Sequence, residues 1–295
     1  MNWIFLGVIT LASLLLCAVG FYRFLWFISV GYGFAILGVG IATGVLALTG
    51  LTLGAPAWNI AVLLQCIMFI VYGIRLGGFL FVREIKNAGY QKTMKTEISN
   101  DAPKKTPIFV SIALWLVVGV IYVAQSAGVV FRVMNGDVKG TANLVFPLVG
   151  FVVMALGVCI EALADKQKSA QKKEDPKMVA TKGLYKFVRC PNYFGEILFW
   201  TGTFFSGINT YHTVGMWVVA ILGYIEIVYV MFNGATRLEK RQATRLAGDP
   251  RYEEYADKTP IIIPFLPIYH LYDAEKDAQK QAKKAAKKAA KEKKN

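Results

Sequence analysis

The sequence predicts an all-α polytopic membrane bundle of about seven transmembrane helices, on three observations. Hydrophobic residues make up 55% of the 295 positions and the mean hydropathy is +0.45, outside the range of soluble domains. Apolar stretches of roughly 17 to 25 residues recur, long enough to cross a hydrocarbon core as helices. The basic residues gather in alternate connections, as they do when one side of a membrane holds them.

The predicted spans run 3–19, 24–49, 56–82, 107–130, 144–164, 194–210 and 213–232. The first opens on "MNWIFLGVIT", which has no Lys or Arg ahead of its apolar run and no clear cleavage site after it, so it is a retained span rather than a secretory signal. The polar, Pro-terminated "KNAGYQKTMKTEISNDAPKKTP" connects the third span to the fourth, and the basic "DKQKSAQKKEDPKMVATKGLYKFVR" connects the fifth to the sixth. After the last span a charged helical pattern breaks at Gly248 and Pro250. The following "IIIPFLPIYHLY" is too short and too proline-broken to span, and is expected against the bundle or the membrane interface. The closing "DAEKDAQKQAKKAAKKAAKEKKN" reads as a solvated lysine tail, partly helical or disordered. Three regions result: two N-terminal helices over 1–55, a membrane domain over 56–267 and a lysine-rich tail over 268–295.

Of the 33 Lys and Arg, 30 fall beside Arg23, in 83–106, in 165–190 or after 233; Arg75 lies within a span, and Arg132 and Lys139 lie in an opposite loop. With seven spans this places the N-terminus outside and the C-terminus in the cytoplasm. The net charge of +14 comes with no nucleic-acid motif, so anionic lipid is the expected partner and nucleic acid is not. Cys17, Cys66, Cys159 and Cys190 are scattered without metal-ligand spacing or a disulfide framework. No internal repeat points to a transporter, and nothing indicates an obligate protein partner.

Polar residues inside spans are costly unless they face the bundle interior or water, which makes them candidate site residues. Gln65, Met68, Tyr72 and Arg75 follow helical spacing and share one inward face; the alternative is that Arg75 snorkels to headgroups and Gln65 bonds a neighbouring helix. Glu161 and Asp165 are i, i+4 at the end of the fifth span, where two carboxylates need donors from a cofactor or from arginines such as Arg189, or else form a hydrated helix end. In "GLYKFVRCPNYFGE", Arg189, Asn192, Tyr193 and Glu196 cluster around Pro191, which suits the first turn of the incoming helix. The positive end of that helix favours an anion such as a phosphate, and Glu196 just below it can accept hydrogen bonds from ribose or amide groups. Glu226 lies near mid-membrane with no assigned partner.

The ordered motifs "IEALADKQK", "GLYKFVRCPNYFGEILFWTG", "NGATRLEKR" and "GDPRYEEYADKTPIIIPF" resemble the DUF1295 proteins of the steroid 5-alpha-reductase superfamily, over roughly 60–267. That superfamily also includes, more distantly, isoprenylcysteine carboxyl methyltransferases. The resemblance implies an integral membrane reductase whose later helices and cytoplasmic loops enclose NADPH. It places Glu161, Asp165, Asn192 and Glu196 at the cofactor, with Arg189, Tyr193, Arg237, Glu239 and Tyr255 in matching cofactor-side motifs. It matches Tyr72 to the tyrosine that polarises a substrate carbonyl, with Gln65 as a second catalytic candidate. Two departures stand out. Cys190 replaces a histidine common in DUF1295 sequences, and "TGLTLGAPAWNIAVL" lacks the Gln-Glu pair that precedes the tyrosine-bearing helix in steroid reductases.

The implied reaction is NADPH-dependent reduction of a double bond conjugated to a carbonyl in a steroid-like or other lipidic substrate. A tyrosine, protonated at neutral pH, donates to the carbonyl oxygen as charge develops there. Arginines near the adenosine ribose would favour NADPH through its extra phosphate. "RCPNYFG" also fits an S-adenosylmethionine-dependent methyltransferase resembling the isoprenylcysteine enzymes, although the Glu161–Asp165 pair favours the reductases. A non-catalytic lipid-binding membrane protein is the third reading.

Overall fold

The computed structural model describes residues 2–86 and 106–274; the connector over 87–105 and the lysine tail from 275 lie outside the described residues. The helices are α1 (Trp3–Cys17), α2 (Val30–Thr49), α3 (Ile60–Lys86), α4 (Ile108–Gln125), α5 (Ala127–Asn135), α6 (Ala142–Glu174), α7 (Pro191–Ser206), α8 (Val214–Arg245) and α9 (Pro250–Lys258), and the described residues contain no strand. The protein is a polytopic helical bundle. Each of the seven expected spans contains a helix, and six are long and apolar enough to cross a membrane; α7, at 16 residues, is shorter.

Hydropathy marks where lipid ends rather than where a helix ends. Thus α6 continues past 164 to Glu174 and α8 past 232 to Arg245, because Lys, Gln, Ala and Arg are good helix formers in water. Conversely, residues 24–28 form a 3₁₀ turn before α2. The bundle divides into two compact units, Met1–Val158 with Leu198–Ile227, and Cys159–Ile197 with Val228–Asn295.

In the first unit, glycines let α2 and α3 meet at backbone distance. A Cβ on Gly33 would lie 2.5 Å from the Gly77 nitrogen, and one on Gly73 would lie 2.6 Å from the Gly33 carbonyl oxygen. Without a hydrophobic drive between helices in lipid, such close approach supplies the dispersion contacts that hold them. A second seam joins α6 to α7 at Gly150 and Gly202, each 2.6 Å from the other's carbonyl oxygen by the same measure.

Pro147 within α6 has no N–H to return to Asn143. The Asn143 carbonyl instead accepts from the Asn59 side-chain amide at 2.7 Å, so the orphaned acceptor is satisfied. Nearby, fully buried Arg132 donates to the Asp137 carbonyl (3.1 Å), to the side-chain oxygens of Asn143 (2.8 Å) and Asn209 (2.6 Å), and to the Ser206 carbonyl. These bonds pin α5, the start of α6 and the α7–α8 turn together.

In the second unit, Gly248 takes φ +78°, Asp249 caps α9 by accepting from the Arg251 amide at 3.0 Å, and Pro250 opens the helix. That accounts for "GDPRY": a left-handed glycine, a side-chain cap and a pre-set first turn. The segment after α9 lies against helices, one of its two expected placements. Ile261 and Ile262 are buried with Cys190, Ile197 and Ala235, while the Arg189 and Cys190 amides donate to the Pro260 (2.8 Å) and Ile261 (2.9 Å) carbonyls.

Candidate functional site

The α3 stripe points inward, since Gln65, Met68 and Tyr72 are all buried while Arg75 is partly exposed. Tyr72 stacks on Phe199 with ring centroids 4.3 Å apart, and its hydroxyl donates to the Tyr32 hydroxyl at 3.0 Å. The indole N–H of Trp200 donates to that same Tyr32 oxygen at 2.7 Å. Gln65, seven residues before Tyr72, is displaced along the helix by about 10 Å. It is not the partner of the Tyr72 hydroxyl; its amide nitrogen faces the Met154 sulfur at 3.7 Å, and its buried amide oxygen has no hydrogen-bond partner among the described residues.

Glu226 pairs with the Gln125 amide at 2.5 Å. The two helices can bring this polar pair together because Gly223 meets the Ala124 backbone closely, a Cβ there falling 2.5 Å away. Gln125 lies at the last turn of α4, where no acid or base drew attention to it.

The second unit holds the remaining candidates. Glu161 is buried on α6, and Asp165, one turn on, is partly exposed. Tyr185 bonds the Ala164 carbonyl at 3.3 Å; burial pushes its hydroxyl pKa well up, with the Asp165 charge adding to the rise. Tyr255 donates its hydroxyl to the Tyr185 carbonyl at 2.7 Å. Gly183 adopts φ +71°, and the next amide, Leu184, donates to the Gln167 side chain at 2.8 Å, which fixes the "GLYK" turn against α6.

Glu196 is buried one turn into α7, while Asn192 and Tyr193 are partly exposed in its first turn. The Tyr193 ring lies against Gly234 of α8, where a Cβ would come within 3.3 Å; the glycine of "NGATR" leaves room for that ring. Burial pushes the Cys190 thiol up to about 12, so it stays protonated at neutral pH and does not replace a titrating histidine.

Arg189 and Glu239 form a buried ion pair at 2.7 Å, each side chain 3% exposed. The same Glu239 takes the Leu271 and Tyr272 amides at 2.8 Å each and the His270 ring at 3.0 Å, while Arg189 also donates to the Tyr269 carbonyl. His270 reaches Asp257 through its other nitrogen at 3.0 Å. Glu239 therefore clamps the 269–272 strap to the start of α7, and the Arg189 guanidinium also lies within hydrogen-bonding reach of the Tyr252 hydroxyl. Arg237, two residues before Glu239, is exposed on another face of α8.

Residues 35–259 match the model of a family described as Protein of unknown function (DUF1295). The chain belongs to the DUF1295 family. A relative, the steroid 5-alpha-reductase DET2 of Gossypium hirsutum, is 26% identical over 122 residues, or 40% of this chain and 42% of that protein. The chain thus matches less than half of the relative's length. No solved structure matches. The DUF1295 match takes in every candidate from Gln65 to Tyr255, whereas Tyr32 and His270 fall just outside it. Sequence reading missed both. His270 sits in an apolar run that reads as packing, and Tyr32 carries no charge. The signal for Tyr32 was its neighbours, since "VGYGF" and "VYGIR" each set a glycine beside the tyrosine that pairs.

Proposed function

We propose that this DUF1295 protein is a membrane-embedded, NADPH-dependent reductase of a carbon–carbon double bond conjugated to a carbonyl in a steroid-like or other lipidic substrate. The observation that carries the reading is Tyr72, fully buried on a spanning helix with its hydroxyl held in a hydrogen-bonded aromatic cluster. The partial likeness to a steroid 5-alpha-reductase supports it. When bound, NADPH supplies the hydride. The chain's own contribution on the substrate side is the Tyr72 hydroxyl, which donates to the carbonyl oxygen as charge develops there. Gln65, with its unpartnered amide oxygen, offers a second polar point to the substrate in an otherwise apolar setting.

The second unit fits a dinucleotide on one physical ground. The buried Arg189 guanidinium stands just ahead of the 16-residue α7, and a guanidinium beside a helix N-terminus suits phosphate oxygens. Glu161, Asp165, Asn192, Tyr193 and Glu196 would hold the hydroxyl and amide groups. Exposed Arg237 suits the extra phosphate that distinguishes NADPH. Glu239 and Tyr255 serve this arrangement from behind, by holding Arg189 and Tyr185.

Equilibrium binding of NADPH and of S-adenosylmethionine to the purified protein tests the reading. NADPH is expected to raise the melting temperature, and Asn192→Ala or Glu196→Ala to weaken its binding roughly tenfold. Stabilisation by S-adenosylmethionine with no response to NADPH would instead select the methyltransferase reading; a response to neither selects non-catalytic lipid binding.

The same reading orients the chain with Asn2 outside and the lysine tail in the cytoplasm, because basic residues concentrate in alternate connections. An Ala290→Cys variant is expected to resist a membrane-impermeant thiol reagent on intact cells and to react after lysis. Labelling above the wild-type level on intact cells contradicts this orientation.

A further inference from the structure

We propose that Tyr32 is the positioning partner of Tyr72, a neutral hydroxyl that supports Tyr72 as a donor. The inference rests on the reading that Tyr72 donates to a substrate carbonyl.

The geometry is specific. Tyr72, Tyr32 and Trp200 are 0%, 7% and 1% exposed, so their mutual bonds are made away from bulk water, where each is worth more. The Tyr32 oxygen accepts from Tyr72 at 3.0 Å and from Trp200 at 2.7 Å. Its position is set by backbone contact, since the neighbouring Gly33 and Gly73 form the seam between α2 and α3. The Tyr32 ring also packs against Tyr122 at a centroid distance of 5.0 Å, and the Tyr122 hydroxyl is itself tied to the Phe27 carbonyl at 2.8 Å.

These three groups differ in what they can do. An indole N–H only donates, whereas a phenol hydroxyl can rotate between donating and accepting. Trp200 therefore fixes the Tyr32 oxygen in place. When Tyr72 turns its proton toward a carbonyl oxygen, it stops donating to Tyr32, and Tyr32 can turn its own proton onto the Tyr72 oxygen. That reversal keeps the Tyr72 oxygen hydrogen-bonded while negative charge builds on its acceptor. It strengthens Tyr72 as a donor through a chain of hydrogen bonds. No proton leaves Tyr32.

The test is steady-state reduction of progesterone, a 3-oxo-4-ene steroid used as the probe, by the full-length protein in lipid nanodiscs with NADPH. Tyr32→Phe keeps the ring, and is expected to lower kcat roughly tenfold while KM for the steroid and Kd for NADPH stay within about twofold. A solvent deuterium isotope effect whose dependence on deuterium fraction is curved in the wild type should become linear, because two exchangeable protons, one on each hydroxyl, change their hydrogen bonding in the transition state only when both hydroxyls are present. Trp200→Phe, which keeps an aromatic ring and removes the N–H, should lower kcat several-fold in the same direction and decides the matter if Tyr32→Phe does not fold.

Wild-type kcat and an unchanged isotope pattern in Tyr32→Phe, beside a Tyr72→Phe variant that has lost turnover, would reduce Tyr32 to packing and overturn the proposal alone. Full turnover in Tyr72→Phe would remove the reading on which it rests, and the proposal with it.

Discussion

Tyr72→Phe is expected to lower turnover by about 10² to 10³-fold while leaving NADPH affinity within about twofold, because a single oxyanion donor is worth about 2.7–4 kcal/mol. The substitution removes one oxygen and little else. The ring of residue 72 stacks on Phe199 and lies edge-on to Trp200 at 5.9 Å, contacts that phenylalanine retains. The Tyr32 oxygen keeps its Trp200 donor, so no acceptor is left wholly unpaired. Loss of kcat without loss of thermal stability would therefore report the donor itself. A larger change in KM than in kcat would indicate that the hydroxyl binds substrate and transition state equally.

The second large effect is on stability. Glu239→Ala is expected to destabilise the fold by about 3–5 kcal/mol, the range for removing one partner of a buried ion pair. Both side chains are 3% exposed, so solvent cannot replace the lost charge. The variant strands the Arg189 guanidinium and leaves the Leu271 and Tyr272 amides without their acceptor. Hydrogen exchange reads this directly: those two amides should lose protection and the melting temperature should fall. His270→Ala is the comparison, since its ring is half exposed and its bond to Glu239 is one of four made by that carboxylate; its cost should stay below about 1 kcal/mol. Equal melting of wild type and Glu239→Ala would show that the clamp is not what holds the strap.

The fold was legible where lipid imposes a simple rule. Apolar length located the helices, and the α3 stripe located buried Gln65 and Tyr72, because a polar side chain in a span must turn inward. The helix ends were less legible, since α6 and α8 continue into water on ordinary helix propensity. The candidate residues of the second unit were named by type, yet not which of them pair with one another. Arg189 and Glu239 lie 50 residues apart, and no local spacing reveals that they pair or that Tyr255 reaches the Tyr185 carbonyl. Tyr32 was hidden for a different reason. An aromatic residue between two glycines reads as packing until the glycine seam shows which tyrosine it faces.

The central claim is that this chain reduces a conjugated double bond, with Tyr72 donating to the carbonyl. NADPH carrying deuterium at both C4 positions of its nicotinamide and progesterone, incubated with the purified protein in nanodiscs, test it most directly through mass and NMR analysis of the recovered steroid. The account predicts a saturated ketone carrying one deuterium at the carbon β to the carbonyl, formed by the wild type and nearly absent with Tyr72→Phe. Saturated product formed equally well by Tyr72→Phe, or unreacted steroid alongside a protein shown to be folded and to bind S-adenosylmethionine, would contradict it.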